Sequence, residues 1–457
     1  MLATLRSGFT RVAEKFTGGA PRPGEPPLVR PLLPFLGHAL AMGRDLTTML
    51  REIQRIHGDV FTLLIAGKRM HFILDPFSFP HVLKAQDNLT FEEVGNEIGE
   101  RAFGFKSLTA QPEVDAVQNF YRDHLKGAGL GPLGERMDER LRVAVRRYTS
   151  DEWREEGLYA FSVRCMFTAS MEALFGEGAA EGGALDDFQR HDRWFALLAA
   201  GVPARALPGV IRARERMRRR MHPLRADASE FIRVRDQFFK GVTTPDNAQR
   251  LQFGIVWAAQ ANTLPAAFWS LAHLLLDARG RAAVIEEVQT HGLGEPRRLV
   301  KMHSAVSESL RLTAEGLTLR MVHGDCELAL ADRKISLRAG DRVVLCPQIN
   351  HSDPEVFAEP AEYRYDRFLA DGGPRQFSKR GQRLPIPLMP FGGGVSMCPG
   401  RFLAHTEIAQ FVGLALTTLE IEPRTTQLPP LDKSRVGLGA LPPTHDFPCR
   451  IRRRPTA

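Results

Sequence analysis

The chain is predicted to be mainly α-helical with a smaller β-rich part. Residues 130–291 carry helical apolar periodicity with few interruptions, whereas past Leu319 short apolar runs alternate with turn residues. Composition agrees: 457 residues, 43% hydrophobic and 25% charged, can bury an extensive core. Five scattered cysteines, Cys165, Cys326, Cys346, Cys398 and Cys449, form no disulfide framework or metal-cluster spacing, so a reducing compartment fits.

Residues 1–23 place Leu2, Leu5, Phe9, Val12 and Phe16 at helical spacing opposite Arg6, Arg11 and Lys15. This is the pattern of a short amphipathic helix, packed on the body or lying on an anionic membrane surface, with a transit peptide as a further alternative. Residues 24–457 are expected to form a single domain. The proline-rich stretch 21–34 is an extended lead-in, followed by a helix over 46–57. Strands are predicted over 60–65 and 70–74, joined through Gly67-Lys68, and residues 91–113 are expected to be irregular.

The helical centre is interrupted by the glycines of 176–183 and by Pro203 and Pro208. Residues 251–277 are too apolar and too long for a surface helix and are expected to cross the interior. Within them Pro265 lacks a donor and frees the carbonyl four residues earlier, that of Ala261, which predicts a polar notch in a buried helix. A helix follows over 301–312, then a strand pair over 326–330 and 334–337. No run of about 18 apolar residues is present to span a bilayer.

The chemistry concentrates in Phe391-Gly392-Gly393-Gly394-Val395-Ser396-Met397-Cys398-Pro399-Gly400. Three glycines let main chain approach a planar ligand closely. Pro399 suits the first turn of a helix continued by Phe402, Ile408, Phe411 and Leu414, whose positive end favours an ionised sulfur. A thiolate on haem iron donates electron density that promotes cleavage of bound dioxygen. Read alone, the loop also suits a glycine-rich turn around a structural cysteine. Some ninety positions upstream, Glu308 and Arg311 share a helix face, and Arg367 lies between them and the loop, placed to close on both.

On these residues the chain resembles the cytochrome P-450 family, over nearly its whole length from Gly24. Within it, residues 24–28, 257–271 and 429–439 are most similar to the branch containing cholesterol 7α-hydroxylase, sterol 12α-hydroxylase, oxysterol 7α-hydroxylase and prostacyclin synthase. The resemblance implies haem b (iron protoporphyrin IX) held by Cys398, within a loop whose Phe391, Gly394 and Gly400 match the family motif. It also implies a buried scaffold of Glu308, Arg311 and Arg367, and Arg320 as a partner for a haem propionate. Two departures stand out. Ser396 replaces the usual arginine or histidine two residues before the cysteine, and the stretch that usually supplies a tryptophan and an arginine holds Phe120, Arg122, His124 and Lys126.

Most oxygen-activating relatives put an acid and then a threonine in the helix notch, whereas this chain has Ala261 and Asn262, with Thr263 next. An amide orders water or bound oxygen but carries protons poorly. Sterol hydroxylases and prostacyclin synthase share that asparagine, so Asn262 does not choose between hydroxylation and rearrangement. The similarity of 257–271 to the sterol 7α-hydroxylases favours a monooxygenase acting on a sterol-like, steroid or other bulky lipid, with Asn262 and Thr263 on the oxygen side. The alternatives are a hydroperoxide or endoperoxide isomerase or dehydratase, and a haem-dependent lipid sensor or carrier. Candidate pocket segments are 195–202, 206–210, 314–319 and 436–441.

The substrate is expected to be a hydrophobic small molecule, sterol-like or fatty-acid-derived. Electrons would come from a separate ferredoxin or flavoprotein, because no nucleotide fingerprint or iron-sulfur cysteine set is present. The net charge of +8 is dispersed except at 212–220 and 450–454, and neither run has the aromatics of a nucleic-acid module, so no nucleic-acid partner is expected. Without a transmembrane anchor, though with peripheral membrane contact open at residues 1–23, a bacterial, cytoplasmic enzyme is the expectation.

Overall fold

The computed structural model describes residues 20–455 apart from 32, 34, 35, 109, 110, 371 and 372. The amphipathic pattern of Leu2 to Phe16 therefore lies outside the described residues. Six helices build the body around the site: α1 (Gly131–Tyr148), α2 (Leu158–Phe175), α3 (Pro245–Gln260), α4 (Thr263–Leu276), α5 (Val300–Thr313) and α6 (Arg401–Thr418). Every residue of α4 from Thr263 to Leu275 is buried, because α2, α5 and α6 pack around it. A helix apolar on all faces belongs in the centre of a large core. Among the described residues no helix is long and apolar enough to cross a membrane.

The predicted interior helix is broken where expected. α3 ends at Gln260 and α4 begins at Thr263, leaving Ala261 and Asn262 between them.

A five-stranded sheet flanks the helices: β1 (Val60–Ile65), β2 (Lys68–Ile73), β3 (Leu89–Thr90), β4 (Thr318–Val322) and β5 (Arg342–Leu345), in the order β1-β2-β5-β4-β3. The β1-β2 register pairs Ile65 with Lys68, so the turn is Ala66-Gly67, one residue earlier than expected. Both turn residues have positive φ, 50° and 73°, which matches the twist of a tight hairpin. β2 pairs with β5 in parallel, and β4 with β5 antiparallel. The predicted pair near 326–337 is a separate two-stranded sheet, Cys326–Ala329 with Lys334–Leu337.

One element departs from expectation. Glu92–Phe103 is a helix, with Glu92 and Glu93 in its first turn and Arg101 in its last, ended by Gly104 in the left-handed conformation. Gly95 and Gly99 made this stretch read as irregular. Gly99 is required by packing, since a Cβ there would lie 2.1 Å from the Phe105 ring.

Candidate active site

The Phe391–Gly400 loop folds back on itself. The Cys398 amide donates to the Phe391 carbonyl at 3.0 Å, and Met397 N–H to the Gly394 carbonyl at 3.1 Å. Gly392 and Gly394 have φ of 70° and 72°, and a Cβ on Gly393 would lie 2.7 Å from Leu83. Gly394 combines both, since its φ is positive and a Cβ there would lie 3.0 Å from the Leu83 carbonyl oxygen, which only glycine accepts. Gly400 caps α6, so Pro399 falls one residue before the cap rather than inside the first turn, where Cys398 O accepts the Arg401 amide at 3.4 Å.

Cys398 belongs to the wall of a cavity of about 490 Å³. Enclosure by protein raises the thiol pKa; the N–H groups of Gly400 and Arg401 and the Arg401 charge pull the other way and do not overcome it. A metal at that sulfur would reverse the balance, because a coordinating thiol is deprotonated outright.

Phe391, Arg320, Asn262, Thr263, Ser396 and Gly400 also line this cavity. Arg320 is buried, with Nη2 donating to the Gly393 carbonyl and Nη1 to the Leu319 carbonyl, both at 2.8 Å. Among the described residues no carboxylate pairs with it, and burial alone lowers its pKa. A buried cation without a counter-ion demands an anionic ligand.

Opposite the loop, Asn262 Nδ2 donates to the Leu438 carbonyl at 3.2 Å, while its Oδ1 is enclosed without a partner among the described residues. The Thr263 side chain lies beside Glu407, which is buried on α6, and both line the cavity. Burial pushes the Glu407 carboxyl up to about 8, with Thr263 opposing it. Nothing in the sequence distinguished this glutamate beyond its place on the helix after Cys398.

Glu308, Arg311 and Arg367 come together behind the loop. Arg311 grips Glu308 in two parallel bonds of 2.7 and 2.8 Å, and Arg367 Nε reaches Glu308 Oε1 at 2.6 Å. All three are buried. Their remaining donors hold the carbonyls of His351 and Pro360, from Arg311, and of Ala358 and Glu362, from Arg367. His351 carries the scaffold onward: its Nε2 accepts the Met389 amide at 3.1 Å, just before the glycine loop. Burial pushes the His351 pKa down to about 3, so it stays neutral and able to accept. This histidine was not picked out from the sequence.

A broken central helix and a glycine-cradled cysteine thus line one cavity, and a buried glutamate-arginine-arginine cluster braces the chain outside it. The family model described as cytochrome P-450 matches residues 212–448. The chain belongs to the cytochrome P-450 family. With membership comes the class of chemistry, that of a haem-thiolate monooxygenase.

Three relatives show how far the similarity extends. Cytochrome P-450 7A1 of Rattus norvegicus is 34% identical over 93% of each chain. Cholesterol 7-alpha-monooxygenase of Cricetulus griseus is 32% identical over 93% of this chain and 92% of its own. The 7-alpha-hydroxycholest-4-en-3-one 12-alpha-hydroxylase of Oryctolagus cuniculus is 34% identical over 95% and 94% respectively.

The residues of this cytochrome P-450 fit a thiolate-bound haem on two counts. Cys398 lines a cavity together with Gly392, Gly393 and Gly400, which leave room for a flat ligand, and Arg320 supplies a buried positive charge that no carboxylate among the described residues pairs. From the stretch that usually supplies a tryptophan and an arginine, Tyr121 and Leu125 line the cavity, while Arg122 and Lys126 are exposed and the His124 ring bonds the Phe120 carbonyl.

Of the four segments expected to form the pocket, residues from 314–319 and 436–441 line it and those from 195–202 and 206–210 do not. Phe195 instead stacks on Trp257 at 3.6 Å, in an aromatic cluster with Phe103 and His191. Phe91, Tyr121, Leu174, Phe231 and Ile255 take their place as cavity lining. The basic runs are tied up locally: Arg216 and Arg220 with Asp187, Arg218 and Arg219 with Glu215, Arg450 with Glu422 and Arg452 with Glu420.

Proposed function

We propose that this cytochrome P-450 hydroxylates a sterol, steroid or similarly bulky lipid, using haem b held by Cys398 and electrons from a separate ferredoxin or flavoprotein. The observation that carries the substrate class is the similarity over more than nine-tenths of the chain to a cholesterol 7-alpha-monooxygenase and a sterol 12-alpha-hydroxylase. A cavity of about 490 Å³ with a mostly apolar wall supports it, being within the range of small-molecule sites. The catalytic unit would be one domain over residues 24–457, acting in the cytoplasm.

Haem bound through a thiolate supplies the activation of dioxygen. Cys398 would hold the iron, and Arg320 would neutralise a propionate while fixing the Gly393 carbonyl. Gly394 and Gly400 keep the loop tight, and Phe391 packs beside the His405 ring at 5.2 Å. Glu308, Arg311 and Arg367 would act only as scaffold. On the oxygen side, Ala261 offers no acid. Glu407 keeps its carboxyl protonated at neutral pH and holds that proton beside the Thr263 hydroxyl, a store the notch itself lacks. Phe91, Phe231 and Leu174 exclude water and orient an apolar substrate.

The same Asn262 also suits rearrangement of a lipid peroxide without external electrons, the second reading. A titration of the purified holoenzyme with sterols, bile-acid precursors and fatty acids, read by the iron spin-state change, tests the substrate class. Sterols should shift the spin state at low micromolar levels or below, while a response confined to fatty acids would overturn the proposal. Cys398→His should abolish the thiolate-type carbon monoxide spectrum, and its persistence would refute the ligand assignment.

A further inference from the structure

The carbonyl that Pro265 releases from the cavity helix does not meet solvent. Arg435 Nη1 donates to the Ala261 carbonyl at 2.6 Å, and both groups are buried. Nη2 of the same guanidinium lies 3.4 Å from Asp192 Oδ1, which also accepts Trp257 Nε1 at 2.8 Å. Trp257 in turn stacks on Phe195. Three residues beyond Arg435, the Leu438 carbonyl takes the Asn262 amide, and a Cβ on Gly439 would lie 2.6 Å from Asn262 Oδ1. Main-chain bonds anchor this loop: Glu315 N–H to the Gly439 carbonyl at 2.9 Å and Leu317 N–H to the Gly437 carbonyl at 3.1 Å.

Stability alone accounts poorly for such an arginine. It is 5% exposed, and its Nε has no partner among the described residues. A guanidinium so buried costs more than an apolar side chain with a water in the notch. What it contributes is placement: a fixed charge on the carbonyl that Pro265 leaves without its helical donor, and a loop that holds the next residue's amide.

We propose that Arg435 is a positioning residue that closes the notch of the cavity helix, fixes the Asn262 amide, and ties both through Asp192 and Trp257 to the segment carrying Phe195. The inference rests on reading the cavity as the haem site. Without the guanidinium, the Ala261 carbonyl must take a water as partner and Asn262 is free to turn.

The carbon monoxide complex of the ferrous holoenzyme tests it, because the C–O stretching frequency responds to donors and carbonyl dipoles beside the bound gas. Wild type should give one narrow infrared band. Arg435→Met should shift and broaden it, and should lower product formed per electron consumed several-fold while electron consumption continues. Arg435→Lys, whose ammonium can still reach the carbonyl, should restore most of both, and Asp192→Asn should move the band less, in the same direction. An unchanged band and unchanged coupling in Arg435→Met overturn the proposal. If that variant fails to fold, an unchanged band in Asp192→Asn overturns it. A wild-type protein with no thiolate-type carbon monoxide complex would refute the haem-thiolate reading and the proposal together, which separates the two failures.

Discussion

Glu407 keeps its proton because burial at the cavity wall strips the charged form of its water and no cation among the described residues offsets that cost. Its pKa is raised to about 8 against 4.5 for an ordinary glutamate, so the carboxyl is neutral at pH 7 and ionises as pH rises through 8. If the neutral acid beside Thr263 serves turnover, activity should fall across that ionisation. Glu407→Gln keeps the shape and removes the titration, so its pH profile should be flat through pH 8 and its rate below pH 7 lower than wild type by about tenfold or more. A wild-type fall that persists in the variant would place the ionisation elsewhere. The sequence revealed Cys398, Glu308, Arg311 and Arg367 because their spacing is distinctive. It could not reveal Glu407, His351 or Arg435, whose meaning depends on what the fold puts opposite them.

At the scale of elements, legibility followed the strength of the local signal. Pro265 marked the break between α3 and α4 because a missing donor acts within one turn. Alternation and a turn marked β1 and β2. The helix Glu92–Phe103 was hidden by Gly95 and Gly99, which weaken its helical signal and each face a phenylalanine six or fewer positions away. Gly99→Ala would gain about 1 kcal/mol of helix propensity and lose about 1–3 kcal/mol to the clash with the Phe105 ring. The expected outcome is a lower urea midpoint with an unchanged slope. Gly95, whose Cβ would meet Phe91 at 3.1 Å, should tolerate alanine better. Of the two segments expected in the pocket, 195–202 puts Phe195 on Trp257 and Leu198 in the core, and 206–210 puts Leu207 and Val210 there, and apolarity alone does not distinguish a lining from a core.

Across the whole molecule, burial of histidine sets the acid limit. His191, His273 and His351 are pushed down to about 3 and His405 to about 4, in each case chiefly by loss of hydration. Unfolded, each binds a proton near pH 6.5 that the folded chain refuses. The unfolded state therefore holds more protons between about pH 6.5 and 3, and stability falls as pH falls through that window. Glu407, Glu92 and Asp192, all raised by burial, act oppositely, the fold losing stability as pH rises through their folded values, while His38 and His222, also lowered by burial, add to the four histidines. Urea midpoints should drop steeply from pH 7 to pH 5, and an equal or higher midpoint at pH 5 would contradict this balance. The mainly helical class with a smaller β-rich part was legible from periodicity, while the order of the five-stranded sheet, with β5 between β2 and β4, was not, because long-range pairing leaves little trace in local pattern. What joins these scales is a single claim, that the Cys398 cavity inserts oxygen into a bulky lipid. The direct test is turnover of a spectrally binding sterol under isotopically heavy dioxygen, with a surrogate ferredoxin and reductase. One heavy atom per hydroxylated product, dependent on electrons, is the predicted result; consumption of a lipid hydroperoxide without electrons and without label, and no labelled sterol, would contradict it.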